Sequence, residues 1–190
     1  MKSIQTKDNK QVTIRKFQLS DCENLCSYYS GLSDETKNRF GPHSFDKQSI
    51  VNIYNDTLSL GYLVIDCLKD QIVAYAIVRI GFLEHDRSRL ESYGLILDPE
   101  ADATFAPSVT DEWQSCGIGN RLLHFIMDDL KSKGIQRIIL WGGVQCSNEK
   151  AVNYYKKNNF RILGEFEYHG ANYDMVLDKK KNHSHDLRFF

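Results

Sequence analysis

The stretch Val109-Thr110-Asp111-Glu112-Trp113-Gln114-Ser115-Cys116-Gly117-Ile118-Gly119-Asn120-Arg121 constrains this chain more than any other. Before it, Ala103 to Val109 is short and mostly apolar, as a strand is. After it, Ile118, Leu122, Leu123, Phe125, Ile126 and Leu130 recur at helical spacing. Lys131 and Lys133 fall in the last turn and Gly134 stops the helix. Ile138-Ile139-Leu140-Trp141 then reads as a second buried strand. Gly117 and Gly119 have no Cβ, so the backbone between strand and helix can turn sharply and approach a ligand closely. The N-terminus of a helix carries about half a positive charge and favours phosphate. Successive turn amides form an anion-binding concavity. The local chemistry is that of a diphosphate cradle, although a G-x-G alone fits a simple tight turn equally well.

Composition bounds the alternatives. A length of 190 residues suits one domain with a real core, expected over residues 1–178, with 179–190 as a polar tail. The net charge of −1 argues against a basic nucleic-acid footprint and a polybasic membrane contact. Five cysteines, an odd count with no C-x-x-C, suit a reducing compartment. No signal peptide or membrane-length apolar run is visible, so the expected location is cytoplasmic. Cys22 and Cys26 read as small buried hydrophobes rather than metal ligands. His183 and His185 in the tail read as solvated, and no metal site is expected. Leu187-Arg188-Phe189-Phe190 is apolar enough to dock on this chain or on a neighbour.

Taken in order, Gln11 to Phe17 alternates as a half-buried strand. Ser20-Asp21-Cys22-Glu23 has the form of a capping box, opening a helix with Cys22, Leu25, Cys26, Tyr29 and Leu32 on one face. Ser33 starts a second helix that Gly41-Pro42 ends. Asp46 caps a third, with Ile50, Val51, Ile53, Tyr54 and Leu58 inward. Tyr62 to Cys67 and Ile72 to Val78 form a hairpin. Tyr93 to Leu97 is strand-like, and Asp98 to Asp102 is a turn. Ser147 is the expected N-cap of a helix from Asn148. Phe160 to Tyr168 and Tyr173 to Leu177 close the chain as an antiparallel pair.

Two motifs carry a family resemblance. Gln114-x-x-Gly117-x-Gly119 resembles the acetyl-CoA loop of the GNAT N-acetyltransferase superfamily. Asn148-Glu149-Lys150-Ala151-Val152-Asn153-Tyr154-Tyr155-Lys156-Lys157-Asn158-Asn159-Phe160 resembles that family's N-x-x-A-x-x-x-Y-x-x-x-G-F segment. The resemblance implies an α/β (α+β) fold with a central mixed, mostly antiparallel sheet flanked by helices. It implies that the strands on either side of the cradle helix run parallel and splay, with the arm of the cofactor, acetyl-CoA, in the gap. It implies an acetyl-CoA-dependent N-acetyltransferase, with the cofactor held by Val109, Gln114, Ser115, Cys116, Gly117, Ile118, Gly119, Asn120, Asn148 and Tyr155.

Acetyl transfer to an amine needs a base, an oxyanion donor and an acid for the leaving thiolate. Val109 is the candidate oxyanion donor through its backbone N–H, and Pro107 cannot serve because it has none. Tyr155 aligns with the tyrosine that protonates the thiolate, since its reference pKa of about 10 lies near a thiol's value of about 8.5. The competing role is a core aromatic, which Tyr154 fits better. Asn148 either contacts the cofactor arm or caps its helix. Thr104 stands where many relatives carry a carboxylate, so the base is left among Glu100, Asp102 and a water relay. Asp111 and Glu112 read as solvated turn residues. Cys116 replaces a frequent Lys or Arg, for which Arg121 or a nearby Lys can compensate. Asn159 replaces the family's glycine, which Asn tolerates because it enters the left-handed region more readily than other residues. The acceptor is expected to be a small-molecule amine, met by Tyr28, Tyr29, Arg39, Phe40 and the stretch Glu84 to Tyr93. Two alternatives stay open: a protein lysine or N-terminal acetyltransferase, and a non-catalytic acyl-CoA-binding module. A nucleotide loop ranks last because the P-loop Lys-Ser/Thr is missing. A homodimer is left open.

Overall fold

The computed structural model describes residues 1–179. In chain order it forms β1 (Lys2–Gln5), β2 (Gln11–Lys16), α1 (Cys22–Ser30), α2 (Asp34–Asn38), α3 (Lys47–Tyr54), β3 (Ser59–Asp66) and β4 (Gln71–Ile80). Then come α4 (Arg87–Ser92), β5 (Asp102–Val109), α5 (Ile118–Ser132), β6 (Arg137–Leu140), β7 (Val144–Gln145), α6 (Glu149–Lys157), β8 (Arg161–Glu167) and β9 (Ala171–Asp178). The strands make one sheet in the order β1-β2-β3-β4-β5-β6-β9-β7, with β8 on the other edge of β9. Every pairing is antiparallel except β5 with β6. This is the mixed, mostly antiparallel α/β layout expected.

Strand alternation sorts the core onto two faces. Ala103 and Phe105 of β5 join Val12, Tyr62 and the α5 residues Ile118, Leu122, Leu123 and Ile126 on one face. Burying each aliphatic side chain of α5 contributes about 1.5–3 kcal/mol. Ala106 packs with α1, through Leu25 and Tyr29, on the other face. A smaller cluster of Leu90, Leu95, Ile139 and Val176 sits under α4 on that same second face.

The parallel pair is short. β5 and β6 pair from Asp102↔Arg137 to Phe105↔Leu140 and no further. The last rung is the Trp141 N–H donating to the Phe105 carbonyl at 2.9 Å. Gly142 (φ 63°) and Gly143 (φ 75°) then turn the chain away, and Val144–Gln145 pairs with β9 instead. A Cβ on Gly143 would lie 2.7 Å from the Tyr173 carbonyl, so only glycine lets the chain leave β5 there. Ala106 to Val109 consequently has no strand neighbour on the β6 side among the described residues.

Several local expectations change. Tyr93 to Leu97 is not a strand: Gly94 takes φ 79° and Ile96 is 86% exposed, while Leu95 is buried and Leu97 packs beneath α4. The capping box shifts: Asp21 accepts from the Gln18 N–H and pairs with Arg15, so a 3-10 turn at Leu19–Asp21 precedes α1. Asn148, not Ser147, caps α6, with its side chain accepting from the Ala151 N–H at 3.2 Å. Leu58 lies just before β3 and is 42% exposed rather than inward. β1 and β7 were not anticipated. Ser33 and Asp46 do cap α2 and α3. The expectations for the tail, including His183, His185 and Leu187 to Phe190, fall outside the described residues, apart from Lys179. Among the described residues no helix is long and apolar enough to cross a membrane.

Candidate active site

The cradle begins where β5 ends. A 3-10 turn at Asp111–Trp113 leads to Ser115 (φ 65°) and Gly117 (φ 90°), and α5 starts at Ile118. Two left-handed residues within three positions fold the chain into a tight crook. The Gln114 N–H is used in the turn, donating to the Asp111 carbonyl at 3.2 Å, and the Arg121 N–H donates to Gly117. Between them, the amides of Ser115, Cys116, Gly117, Ile118, Gly119 and Asn120 have no acceptor among the described residues. These are the donors that a helix start leaves unsatisfied, extended backward by the loop.

The cradle's side chains face one another rather than the crook. Gln114 Nε2 donates to the Val109 carbonyl (3.2 Å) and to Asp111 (2.9 Å), while Gln114 Oε1 accepts from Lys150 (2.5 Å). The Cys116 thiol donates to the Trp113 carbonyl at 2.7 Å. Asn120 accepts from the Asn158 amide at 3.0 Å. A Cβ on Gly119 would meet the Tyr154 ring at 3.2 Å, and the Tyr154 hydroxyl donates to the Gly119 carbonyl at 2.9 Å. Tyr154, read from sequence as a plain core residue, thus clamps α6 to the first turn of α5. Its position beside Tyr155 masked this, because adjacent helical residues face different neighbours. Asn159 takes φ 66°, the left-handed turn expected for the residue that replaces glycine.

The register of β5 decides which amides face the gap. The Thr110 N–H donates to Val73 and the Gly81 N–H to Asp102. Even-numbered residues of β5 therefore bond β4, and odd-numbered ones face β6. Phe105 is capped by Trp141, Pro107 has no N–H, and the Val109 carbonyl is taken by Gln114. The Val109 N–H is the one β5 donor aimed into the gap, among the described residues.

Tyr155 is buried, its ring 5.3 Å from that of Phe160, and its hydroxyl has no hydrogen-bond partner among the described residues. Burial raises its phenol above the ordinary value. Asn148 Oδ1 is engaged in its cap.

Candidate bases lie elsewhere. Asp102 is buried at the far end of β5, about 23 Å from Val109 by strand rise. There it accepts from the Asp98 N–H and faces Arg137 at 3.5 Å. Burial raises its carboxyl pKa. Glu100 is exposed in the turn before it. The Thr104 hydroxyl donates to Gly81. Asp111 accepts from Thr36 and Gln114.

The opposite face of β5 carries side-chain polarity. The Tyr28 hydroxyl donates to Ser108 Oγ at 2.9 Å. His43 was not singled out in the sequence. Its Nδ1 stands 2.8 Å from the Ser44 carbonyl, which can only accept, so Nδ1 carries the proton. Nε2 is then the acceptor facing the hydroxyls of Tyr75 (3.1 Å) and Tyr29 (3.3 Å). Burial lowers the His43 pKa and favours this neutral form. Phe40 and Phe45 flank Tyr29 at 5.6 and 4.5 Å. Arg39 pairs with Glu35 at the surface. Within Glu84 to Tyr93, Arg89 is tied to Asp86 and Asp174 and stacks on Phe166. Among the described residues no cluster of His, Cys, Asp and Glu could hold a metal ion.

Comparison with known proteins is consistent with this geometry. The acetyltransferase (GNAT) family matches residues 26–160. No curated protein matches the chain by sequence. Among solved structures, the GNAT domain of S. lividans PAT is 20% identical, with 93% of this chain and 96% of that chain covered and a TM-score of 0.71. The ribosomal-protein-S5-alanine acetyltransferase of Vibrio fischeri is 18% identical, with 97% and 98% covered and a TM-score of 0.67. YncA of Salmonella typhimurium, solved with its cofactor acetyl-CoA, is 15% identical, with 93% and 98% covered and a TM-score of 0.67. At such identities these structures establish the fold, and the family match, running from α1 to the start of β8, establishes kinship. The chain belongs to the acetyltransferase (GNAT) family, N-acetyltransferases whose acyl donor is acetyl-CoA.

Proposed function

We propose that this chain, as one domain over residues 1–178, moves the acetyl group of acetyl-CoA directly to a primary amine of a small molecule bound beside it. The observation that carries this reading is the meeting of two donor sets at one end of β5: the amides from Ser115 to Asn120, and the Val109 N–H aimed into the gap. The crook suits a diphosphate in sign, because its unbonded donors are main-chain amides at a helix start. Acetyl-CoA brings an activated thioester; the protein's task is to orient it, take up charge and move protons.

Each residue then has a task. The cradle amides hold the diphosphate. The Val109 N–H donates to the thioester oxygen as charge grows there, a contribution of about 3 kcal/mol in comparable sites. The Asn148 amide N–H₂, left over from capping, faces the cofactor arm. The Tyr155 hydroxyl, kept protonated by burial, gives its proton to the departing sulfur. With Glu100 and Asp102 at the other end of β5, the amine loses its proton to water. Packed rings at Tyr28, Tyr29 and Phe40 favour a small acceptor over a protein chain.

Thr104 in place of a carboxylate favours a second reading, a non-catalytic acyl-CoA-binding module. A panel of small amines and peptides, assayed for released thiol with wild type and Tyr155→Phe, separates the two. Turnover with a small amine, lost in Tyr155→Phe, is expected. Tight acetyl-CoA binding with no turnover on any amine would favour the binding module, and turnover only on peptides would favour a protein acceptor.

A further inference from the structure

We propose that Lys7, at the tip of the β1–β2 hairpin, is a diphosphate ligand that supplies the cation position 116 lacks. This rests on the cradle reading above and extends it to a segment outside the residues the family match covers.

The loop itself provides no cation. Cys116 is no cation, and its thiol is directed at the Trp113 carbonyl. Arg121, the cation expected to compensate, lines a groove of about 300 Å³ with Lys2, Ile4, Ile14 and His124. That groove lies between β1, β2 and α5.

Lys7 is placed differently. A Cβ built on Gly117 would have Lys7 Cε at 3.6 Å, Cγ at 3.8 Å and Cδ at 3.9 Å. The lysine stem therefore lies flat across the left-handed glycine at the mouth of the cradle. Nζ is one bond further on, so it stands within about 5 Å of that point. The hairpin is held in this pose by Lys10 and by bonds within its own turn. Lys10 Nζ sits 4.4 Å over the Trp113 ring, and Lys10 also pairs with Asp8 at 2.9 Å. The Thr6 hydroxyl donates to Asp8 as well. With Asp8 so engaged, Lys7 has no carboxylate partner among the described residues.

The electrostatics point to a third party. The N-terminal end of α5 is positive, and a run of unbonded amides adds to it. An anion placed between that end and an ammonium laid against it is drawn to both. Lys7 and the cradle amides are thus two halves of one anion site, contributed by the start of the chain and by its middle.

Calorimetric titration of acetyl-CoA into wild type, Lys7→Met, Lys7→Arg and Lys2→Met tests this. Lys7→Met should weaken binding about tenfold, Lys7→Arg should recover most of the loss, and Lys2→Met should bind as wild type does. The loss should shrink as salt rises from about 0.05 to about 0.5 M, as screening requires. Coenzyme A lacking its 3′-phosphate should show the same wild-type to Lys7→Met ratio. Unchanged affinity in Lys7→Met overturns the proposal, and so does a ratio that vanishes without the 3′-phosphate. If wild type itself fails to bind acetyl-CoA, the cradle reading falls and this inference with it.

Discussion

The two sides of β5 hold their polarity in different currencies. Toward the cradle the polar groups offered are main-chain amides, and the side chains nearby, Gln114, Tyr154 and Asn158, are spent on bracing. Toward α1 the even-numbered residues of β5 are laddered to β4, and the polar groups are hydroxyls and one imidazole packed among aromatic rings. A site made of backbone is set by chain conformation and tolerates changes of side chain. A site made of side chains is set by residue identity. Substitutions on the cradle side should therefore matter chiefly when they alter the backbone or a brace, and those on the other side through chemistry and pH.

The hardest test of this contrast is Val109→Pro. Its N–H makes no bond to β4, so proline there removes the donor without breaking the ladder, as Pro107 already does at the same parity. We expect kcat to fall about 10²–10³-fold, in line with loss of one oxyanion donor, with acetyl-CoA affinity kept. Stopped activity together with a collapsed melting temperature would instead mean strain, and near-normal kcat would remove Val109 from the mechanism. Tyr155→Phe comes next. Losing a general acid costs about 10²-fold in kcat, with the melting temperature unchanged because the hydroxyl makes no bond that holds the fold. An unchanged kcat would leave Tyr155 as a core aromatic.

The same contrast explains what could be read from the residues alone. Gln114-x-x-Gly117-x-Gly119 was legible because a backbone site leaves glycines at fixed spacing, and the helix behind it shows its apolar period. Pro107 carried a register signal too, once Val109 was weighed against it. The α1 face gave Tyr28, Tyr29 and Phe40 but not His43 or its partnership with Tyr75, because contacts between α1, the loop after α2 and β4 have no sequence period. Lys7 was invisible for a similar reason: the hairpin's docking on Trp113 joins residues about a hundred positions apart. Tyr93 to Leu97 imitates a strand because its apolar residues answer to a small separate cluster under α4 rather than to a sheet.

A brace should have a smaller effect than a donor. Tyr154→Phe keeps the ring against Gly119 and removes only its hydrogen bond to the Gly119 carbonyl. The expected loss is about 1 kcal/mol of stability, read from denaturant melts, with acetyl-CoA affinity down a few-fold as the first turn of α5 loosens. A fall in kcat as large as that of Val109→Pro would mean that Tyr154, not Tyr155, touches the reacting atoms.

The smallest effect belongs to the side-chain face and appears only against pH. His43 is held neutral by burial, with Nδ1–H on the Ser44 carbonyl and Nε2 accepting from hydroxyls. Its folded pKa lies below the ordinary 6.5. As pH falls through that ordinary value, the unfolded chain takes up a proton that the folded chain refuses, and stability drops until the folded pKa is reached. Nearby Asp46 pulls the other way and limits the drop. Melting temperatures taken stepwise from about pH 7.5 to about pH 5 should therefore fall more steeply in wild type than in His43→Gln, which keeps a donor and an acceptor but cannot titrate. Parallel slopes would mean that acid reaches the imidazole without disturbing the hydroxyls around it. The pH response would then fail to distinguish the α1 side of β5 from the cradle side.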